Sequence, residues 1–295
     1  MYLANQIDHY HNTFFMSRKK KIDSKEAGLE IGLHIFKFFF KSEYLHYGLF
    51  TEGMEADIQL LAQAQEKYAE MIISHIPAGV KTILDVGCGS GRMAEKMLGK
   101  GYQVDCVSPG ILLTDYVREK LGNRSEIFNC RFQDLQTSKR YDLILFSESF
   151  QYMPFHDSLG GAAKLLNKNG YLIICDFFKT NAPGKSLLGG GLPYDEWLQE
   201  KEKYPFTILK EQDITRETSK TIDIVNAFSR EVLLPVWRIA FLLAEDRFPL
   251  IMKFIKWKYR KKLSKIENKH LSGQRNGENF IKYKKYMFYL MQKKD

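Results

Sequence analysis

Along the first 80 residues, apolar positions recur at helical rather than alternating spacing. Residues 29–50 form an aromatic-rich block holding Phe36, Phe38, Phe39, Phe40, Tyr44, Tyr47 and Phe50. Residues 54–76 place Ile58, Leu61, Ala62, Ala69, Ile72 and Ile73 on one helical face, and Pro77 and Gly79 end that pattern. From Lys81 the rhythm changes. Short apolar runs of strand length alternate with helical stretches: strands over Thr82–Val86, Gln103–Val107 and residues 126–130, 141–146 and 171–177, and helices over residues 92–98, 111–121 and 158–166. Gly99 and Gly101 close the first of these helices, and Asn169-Gly170 closes the third. Such alternation predicts a parallel sheet with helices on both faces. A loop over 181–193 follows, holding Gly184 and Gly189 to Gly191, then a sixth strand over 206–210 and a mostly helical stretch over 216–270. Residues 283–291 alternate loosely and read as a closing strand. No internal repeat is evident.

Composition narrows the class. In 295 residues, 44% hydrophobic content supports a packed core. No run reaches the roughly 18 apolar residues of a transmembrane helix, and residues 1–12 lack the apolar stretch of a secretory signal. The four cysteines, Cys88, Cys106, Cys130 and Cys175, show neither metal-ligand nor disulfide-framework spacing, so no metal is expected and a reducing cytoplasm is the expected location. The net charge of +9 is concentrated: residues 231–295 carry 16 Lys+Arg against 6 Asp+Glu. A basic region beside bulky apolar residues suits an anionic membrane surface or nucleic acid, or is a solvated helix face.

The most specific chemistry lies at Leu84-Asp85-Val86-Gly87-Cys88-Gly89-Ser90-Gly91, between a strand and a helix. Three glycines permit a tight turn and close approach of a ligand to the backbone. The helix that follows offers free N–H groups and a positive dipole end to an anionic group. Asp85 adds an acid that would repel a phosphate but receive an ammonium group.

This segment resembles the first motif of class I S-adenosylmethionine (SAM)-dependent methyltransferases, and the similarity runs from about residue 45 to 215. The resemblance implies SAM as cofactor, with S-adenosyl-L-homocysteine as product. It also implies an α/β fold: a Rossmann-like, seven-stranded, mostly parallel sheet whose last strand is antiparallel. Residues 1–80 are then a helical segment closing the SAM site, and 81–215 the SAM-binding core. Residues 216–282 are a basic helical insertion and 283–295 the closing strand. Asp85, Gly87, Cys88, Gly89 and Gly91 are the implied cofactor turn. The family ends its second strand with an acid for the ribose. Here Cys106 holds that place and Asp105 lies one residue earlier, on the opposite side by alternation. After the third strand, Arg131 stands where an adenine-binding acid is usual. Phe132 can pack on adenine and offer its N–H, with Gln133 or Asp134 as a polar contact.

Ser147-Glu148-Ser149-Phe150-Gln151-Tyr152-Met153-Pro154 follows the fourth strand, at the crevice where open α/β sheets bind ligands. It is similar to the small-molecule methyltransferases that act on tocopherol-type phenols, and to relatives that modify sarcosine, sterols or fatty acyl chains, with Tyr152 in place of their His. His46-Tyr47-Gly48-Leu49-Phe50 resembles their aromatic segment over SAM, and Asp213-Ile214-Thr215 fits the same group. Ser147 is a further cofactor contact. Glu148, His46 and Tyr152 are candidate bases for a hydroxyl acceptor. The alternatives are a structural or SAM-binding role for Glu148 and a packed imidazole for His46. The expected activity is in-line methyl transfer to a small, hydrophobic or aromatic acceptor. The contending readings are an RNA methyltransferase using the basic tail and a non-catalytic SAM-fold interaction protein. The [DN]-P-P-[YF] signature of amino-methylating enzymes is absent after the fourth strand. The insertion is expected to cap the acceptor site, rest on the inner membrane face, or dock on the core.

Overall fold

The computed structural model describes residues 24–266 and 272–295; residues 1–12, read above for a signal, lie outside that range. Seven strands form one sheet: β1 (Thr82–Val86), β2 (Gln103–Val107), β3 (Ile127–Phe128), β4 (Tyr141–Ser147), β5 (Leu166–Lys179), β6 (Phe206–Asp213) and β7 (Lys284–Lys293). Their order is β3-β2-β1-β4-β5-β7-β6, and β7 runs antiparallel to both neighbours. The order reverses between β1 and β4, which opens a crevice at their carboxyl ends. This is the Rossmann-like α/β sheet that the alternating pattern and the glycine turn implied.

Side-chain alternation splits the sheet into two apolar faces. One face carries Ile83, Val104, Leu145 and Ile173, and is covered by α2 (Leu61–Ser74), α3 (Arg92–Gly99) and α4 (Ile111–Leu121) through Tyr68, Ile72, Met93, Met97 and Val117. The other carries Leu84, Ile144 and Ile174, and is covered by α5 (Phe155–Leu165) and α6 (Tyr194–Glu200) through Leu159, Ala162 and the fully buried Trp197. Before α2, α1 (Ser24–Phe40) leads into an extended strap over residues 41–57. After β6 come α7 (Thr215–Phe228), a π-helical turn (Ser229–Leu233), α8 (Leu234–Arg247), α9 (Pro249–Ile266) and α10 (Gly277–Tyr283). Pro235 has no N–H for the Glu231 carbonyl one turn back, so the backbone widens there instead of continuing as α-helix.

Several boundaries differ from the sequence reading. The helix expected over 54–76 begins with a 3₁₀ turn at Ile58 and is α-helical only from Leu61. Gly53 sits at φ 81° and the Asp57 side chain accepts from Gln59 N, which together fix the later start. The third strand shrinks to two residues because Asn129 turns its amide to the Ser108 and Gly110 carbonyls. α5 begins at Phe155, immediately after Pro154. β5 begins five residues earlier than Tyr171, because a register shift against β4 and a left-handed Asn169 (φ 58°) carry the chain through Asn169-Gly170 without ending the ladder. α6 and α10 are short helices that the periodicity did not signal.

Candidate active site

The glycine turn folds as its composition requires. Gly87, Gly89 and Gly91 all take positive φ (77°, 55° and 74°). A Cβ on Gly87 would lie 2.5 Å from the Ser149 Cβ, so the turn after β1 is packed directly on the segment after β4. Gly89 is open except for the Leu45 side chain, 3.6 Å from where its Cβ would be. α3 starts at Gly91 with no side-chain cap, which leaves its first N–H groups to a carboxylate.

Beneath the turn, Asp85 is 2% exposed and its Oδ2 has no hydrogen-bond partner among the described residues. Burial alone pushes its carboxyl up to about 7. A buried, unpaired carboxylate costs several kcal/mol, roughly, unless a cation is brought to it. Cys106 is also fully buried and pairs in register with Asp85 on the same sheet face.

The strap over 41–57 lies across this turn. Buried Gln65 of α2 ties it down, donating to the carbonyls of Tyr44 (3.2 Å) and His46 (2.7 Å) and accepting from Ser42 Oγ (2.6 Å). Leu49 N–H donates to the Ala64 carbonyl (2.8 Å), Gly48 N–H to Thr221 Oγ1 (2.9 Å), and Ser90 Oγ to the Glu43 carbonyl. His46 stacks on Tyr68 (4.3 Å between ring centroids) and its Nδ1 lies 2.8 Å from the Tyr47 carbonyl. A carbonyl only accepts, so Nδ1 carries the proton and Nε2 presents a lone pair. That Nε2 is buried and without a partner. Burial holds the imidazole down at about 4, so His46 is neutral at physiological pH, an acceptor of hydrogen bonds and a weak base.

Glu148 sits where the strap meets the crevice. Its backbone is left-handed (φ 55°), an unfavourable conformation for a residue with a Cβ. Its Oε1 accepts from Tyr47 N–H (2.6 Å) and Tyr286 O–H (2.7 Å). Burial raises the carboxyl to about 8, over the opposing effect of these two donors and with a further push from Asp176. The two donors, Tyr47 and Tyr286, belong to an aromatic cluster with Phe177 and Phe280, with ring centroids 5.7–5.9 Å apart. Asp176, at the end of β5, is likewise raised to about 7 by burial, and accepts from Gln151 N–H (3.0 Å), Gln151 Nε2 (2.8 Å) and Phe177 N–H (2.8 Å).

Asp85, Gly87, Cys88, Gly89, Gly91, Cys106, His46, Ser147 and Glu148 thus gather around the β1/β4 crevice. Ser147 is held there by a 3.1 Å hydrogen bond between its Oγ and the Tyr68 hydroxyl. Other expected residues lie elsewhere. Asp105 faces the opposite side of β2, where Lys139 (2.7 Å), Tyr141 (2.9 Å) and Glu126 N–H (2.9 Å) occupy both carboxylate oxygens. Phe132 packs its ring into the core against Phe146 (5.3 Å), and a Cβ on Gly161 would lie 2.7 Å from that ring, so the ring is not available to stack on adenine; its N–H opens the 3₁₀ turn Phe132–Asp134. Arg131 is exposed and paired with Asp134 at 2.6 Å, and Gln133 is exposed. Tyr152, by contrast, is 65% exposed on the 3₁₀ turn Phe150–Tyr152 yet borders the site: burial and the Asp176 and Glu148 carboxylates push its hydroxyl up to about 12.

Residues 54–218 match the model of a family described as a methyltransferase domain. The chain belongs to this methyltransferase family. A malonyl-[acyl-carrier protein] O-methyltransferase of Anoxybacillus flavithermus is 27% identical over 124 residues, 39% of this chain and 46% of that protein. The chain thus spans less than half the length of this curated relative. Among solved structures, an enzyme of Galdieria sulphuraria assigned as a sarcosine dimethylglycine methyltransferase superposes with a TM-score of 0.65 at 16% identity, over 90% of this chain and 98% of that one. A geranyl diphosphate C-methyltransferase from Streptomyces coelicolor A3(2), in complex with S-adenosyl-L-homocysteine, gives 0.62 at 14% identity, over 93% and 100%. The site fits SAM. The unpartnered Asp85 Oδ2 suits the ammonium of the methionine moiety and the uncapped start of α3 suits its carboxylate.

Sequence reasoning missed Asp176, Tyr68, Tyr286 and Gln65. The rule that strand carboxyl ends line the crevice pointed to Asp176. Tyr68 and Gln65 follow from the helical face of α2, and Tyr286 from alternation in β7.

Proposed function

We propose that this methyltransferase acts on a small apolar or aromatic acceptor of lipid, quinone or phenol type. The observation that carries this reading is the Glu148 carboxyl held by Tyr47 and Tyr286, members of an aromatic cluster with Phe177 and Phe280, one residue from the Ser149–Gly87 contact at the cofactor turn. When bound, SAM supplies an electrophilic methyl group on a sulfonium. The aromatic rings exclude water and hold an apolar acceptor in line. Glu148, raised to about 8, takes the proton of an acceptor hydroxyl as its oxygen becomes the nucleophile. Tyr286 O–H and Tyr47 N–H stabilise the carboxylate form of Glu148 that does so. His46 accepts a hydrogen bond from a ligand donor through Nε2, a positioning role matched to its low basicity. Two similar proteins, a malonyl-[acyl-carrier protein] O-methyltransferase and a geranyl diphosphate C-methyltransferase, support a carbon-rich acceptor.

The test is methyl-labelled SAM incubated with the purified protein and, separately, cell lipid extract, total RNA and polar metabolites. Label in the lipid or aromatic fraction is the expected result, and mass identifies the product. Label in RNA would overturn the assignment and give the basic C-terminal region a phosphate-binding role.

A further inference from the structure

α8 and α9 form a hairpin whose outer surface is apolar and, among the described residues, exposed. No residue of α8 is buried. Leu242 and Leu243 are each 64% exposed, Leu250 83%, Phe254 54% and Trp257 64%. Phe248, between the two helices, is 56% exposed. Soluble surfaces carry such side chains singly, and a contiguous set of this kind marks an interaction site. On α9 the exposed Leu250, Phe254 and Trp257 share one side of the wheel, while Met252 is buried on the other. Along that exposed side the composition changes toward the C-terminus, where Lys261 and Lys265 replace the apolar residues. The 18 residues of α9 contain Lys253, Lys256, Lys258, Arg260, Lys261, Lys262 and Lys265 and no acid. The hairpin therefore exposes apolar Phe248 and Leu250 at its tip, beside the exposed Asp246 and Arg247, with a basic collar behind in which Lys256 is paired with Glu245 of α8.

We propose that this hairpin docks the enzyme on an anionic lipid bilayer surface, with the tip in the acyl boundary and the collar on the headgroups. Charge complementarity selects this occupant. Seven cations without one acid on α9 would repel a second copy of the same helix; a nucleic acid could stack on Phe254 and Trp257 but has no partner for the exposed aliphatic Leu242, Leu243 and Leu250. No helix among the described residues is long and apolar enough to cross a membrane, so the hairpin lies in the interface rather than spanning it. On α9 the apolar and basic residues are separated along the helix, with Leu250, Phe254 and Trp257 in its first half and Lys258, Arg260, Lys261, Lys262 and Lys265 in its second. The inference does not rest on the acceptor assigned above.

The chain's three tryptophans make it testable. Trp197 is fully buried, whereas Trp237 and Trp257 are exposed on the hairpin. The full-length protein is mixed with phosphatidylcholine vesicles, with and without phosphatidylglycerol. Binding is read by co-sedimentation and by tryptophan emission. The expected result is binding to the anionic vesicles with a blue shift, lost at high salt. Replacing Lys258, Lys261 and Lys262 with Gln lowers the partition coefficient about 100-fold, at roughly five-fold for each charge. Leu250→Glu with Phe254→Glu abolishes the blue shift. Failure of the unaltered protein to sediment with anionic vesicles at low salt overturns the proposal, with no appeal to any variant. So does an RNA-binding activity of equal salt dependence without the emission shift. A dimer that ignores vesicles and that Leu250→Glu with Phe254→Glu dissociates would assign the face to a second copy instead.

Discussion

At Glu148 two unfavourable features coincide: a left-handed backbone and a carboxyl raised by its surroundings. Strain retained at one residue is the kind of outlier that functional sites keep. If Glu148 takes the acceptor's proton, kcat/KM rises with pH to a plateau above about 8. Glu148→Gln removes that limb and lowers kcat by about 10²–10⁴-fold, since general-base catalysis contributes on that order. Tyr286→Phe deletes a donor to the ionised carboxylate, so the midpoint moves to higher pH. A pH–rate series on the three proteins checks all of this, and an unmoved midpoint in Tyr286→Phe would count against the assignment. His46 should behave differently. His46→Phe keeps the stack on Tyr68 but loses the Nε2 acceptor, so SAM affinity falls about tenfold while the pH profile is unchanged. Calorimetry and the same pH series decide between positioning and proton transfer. The sequence named Glu148 and His46 but could not rank them, because their roles depend on burial that only the folded strap creates.

Among the elements, the strap carries the most information per residue. It was legible as an aromatic block, but not as an extended segment, because the hydrogen bonds that anchor it come from side chains and backbone of α2 and α7, distant in sequence. Gly48 is the close-approach point: a Cβ there would sit 2.6 Å from the Ala64 Cβ. Gly48→Val therefore lifts the strap from α2. SAM binding is expected to weaken by about tenfold or more, at a stability cost of about 1–3 kcal/mol. Titration calorimetry and denaturant unfolding measure the two effects separately. The strands were read almost to the residue at β1 and β2, where short apolar runs are bounded by glycines and turns. At β3 the reading overshot, because an edge strand's length is set by what Asn129 bonds to, not by its own apolarity. Asp105 shows a similar effect. One-residue alternation places it away from Asp85, and Lys139 then fixes it there, so the family's ribose acid has no counterpart at Cys106.

At the scale of the whole molecule, three buried acids, Asp85, Glu148 and Asp176, all hold their protons more tightly folded than unfolded. A carboxyl raised in the folded state stabilises the fold at low pH, and that stability is lost as pH rises through the folded value. His46 acts in the opposite sense, but only below its ordinary value of 6.5, since it is lowered to about 4. From about pH 6.5 to 8 the acids are therefore expected to set the slope, and the ligand-free protein loses stability as pH rises. SAM changes this, because its ammonium meets the ionised Asp85. The stabilisation from a ligand that binds only the folded state is RT ln(1 + [L]/Kd), so it grows wherever affinity grows. The decisive measurement is the unfolding free energy across pH 6 to 8 at fixed SAM, for the parent and for Asp85→Asn. The account predicts a SAM increment that increases with pH in the parent, and an Asp85→Asn protein that is more stable without SAM near pH 8 yet gains little from it. A SAM increment that is flat with pH and equal in the two proteins would show that Asp85 does not hold the cofactor's cation.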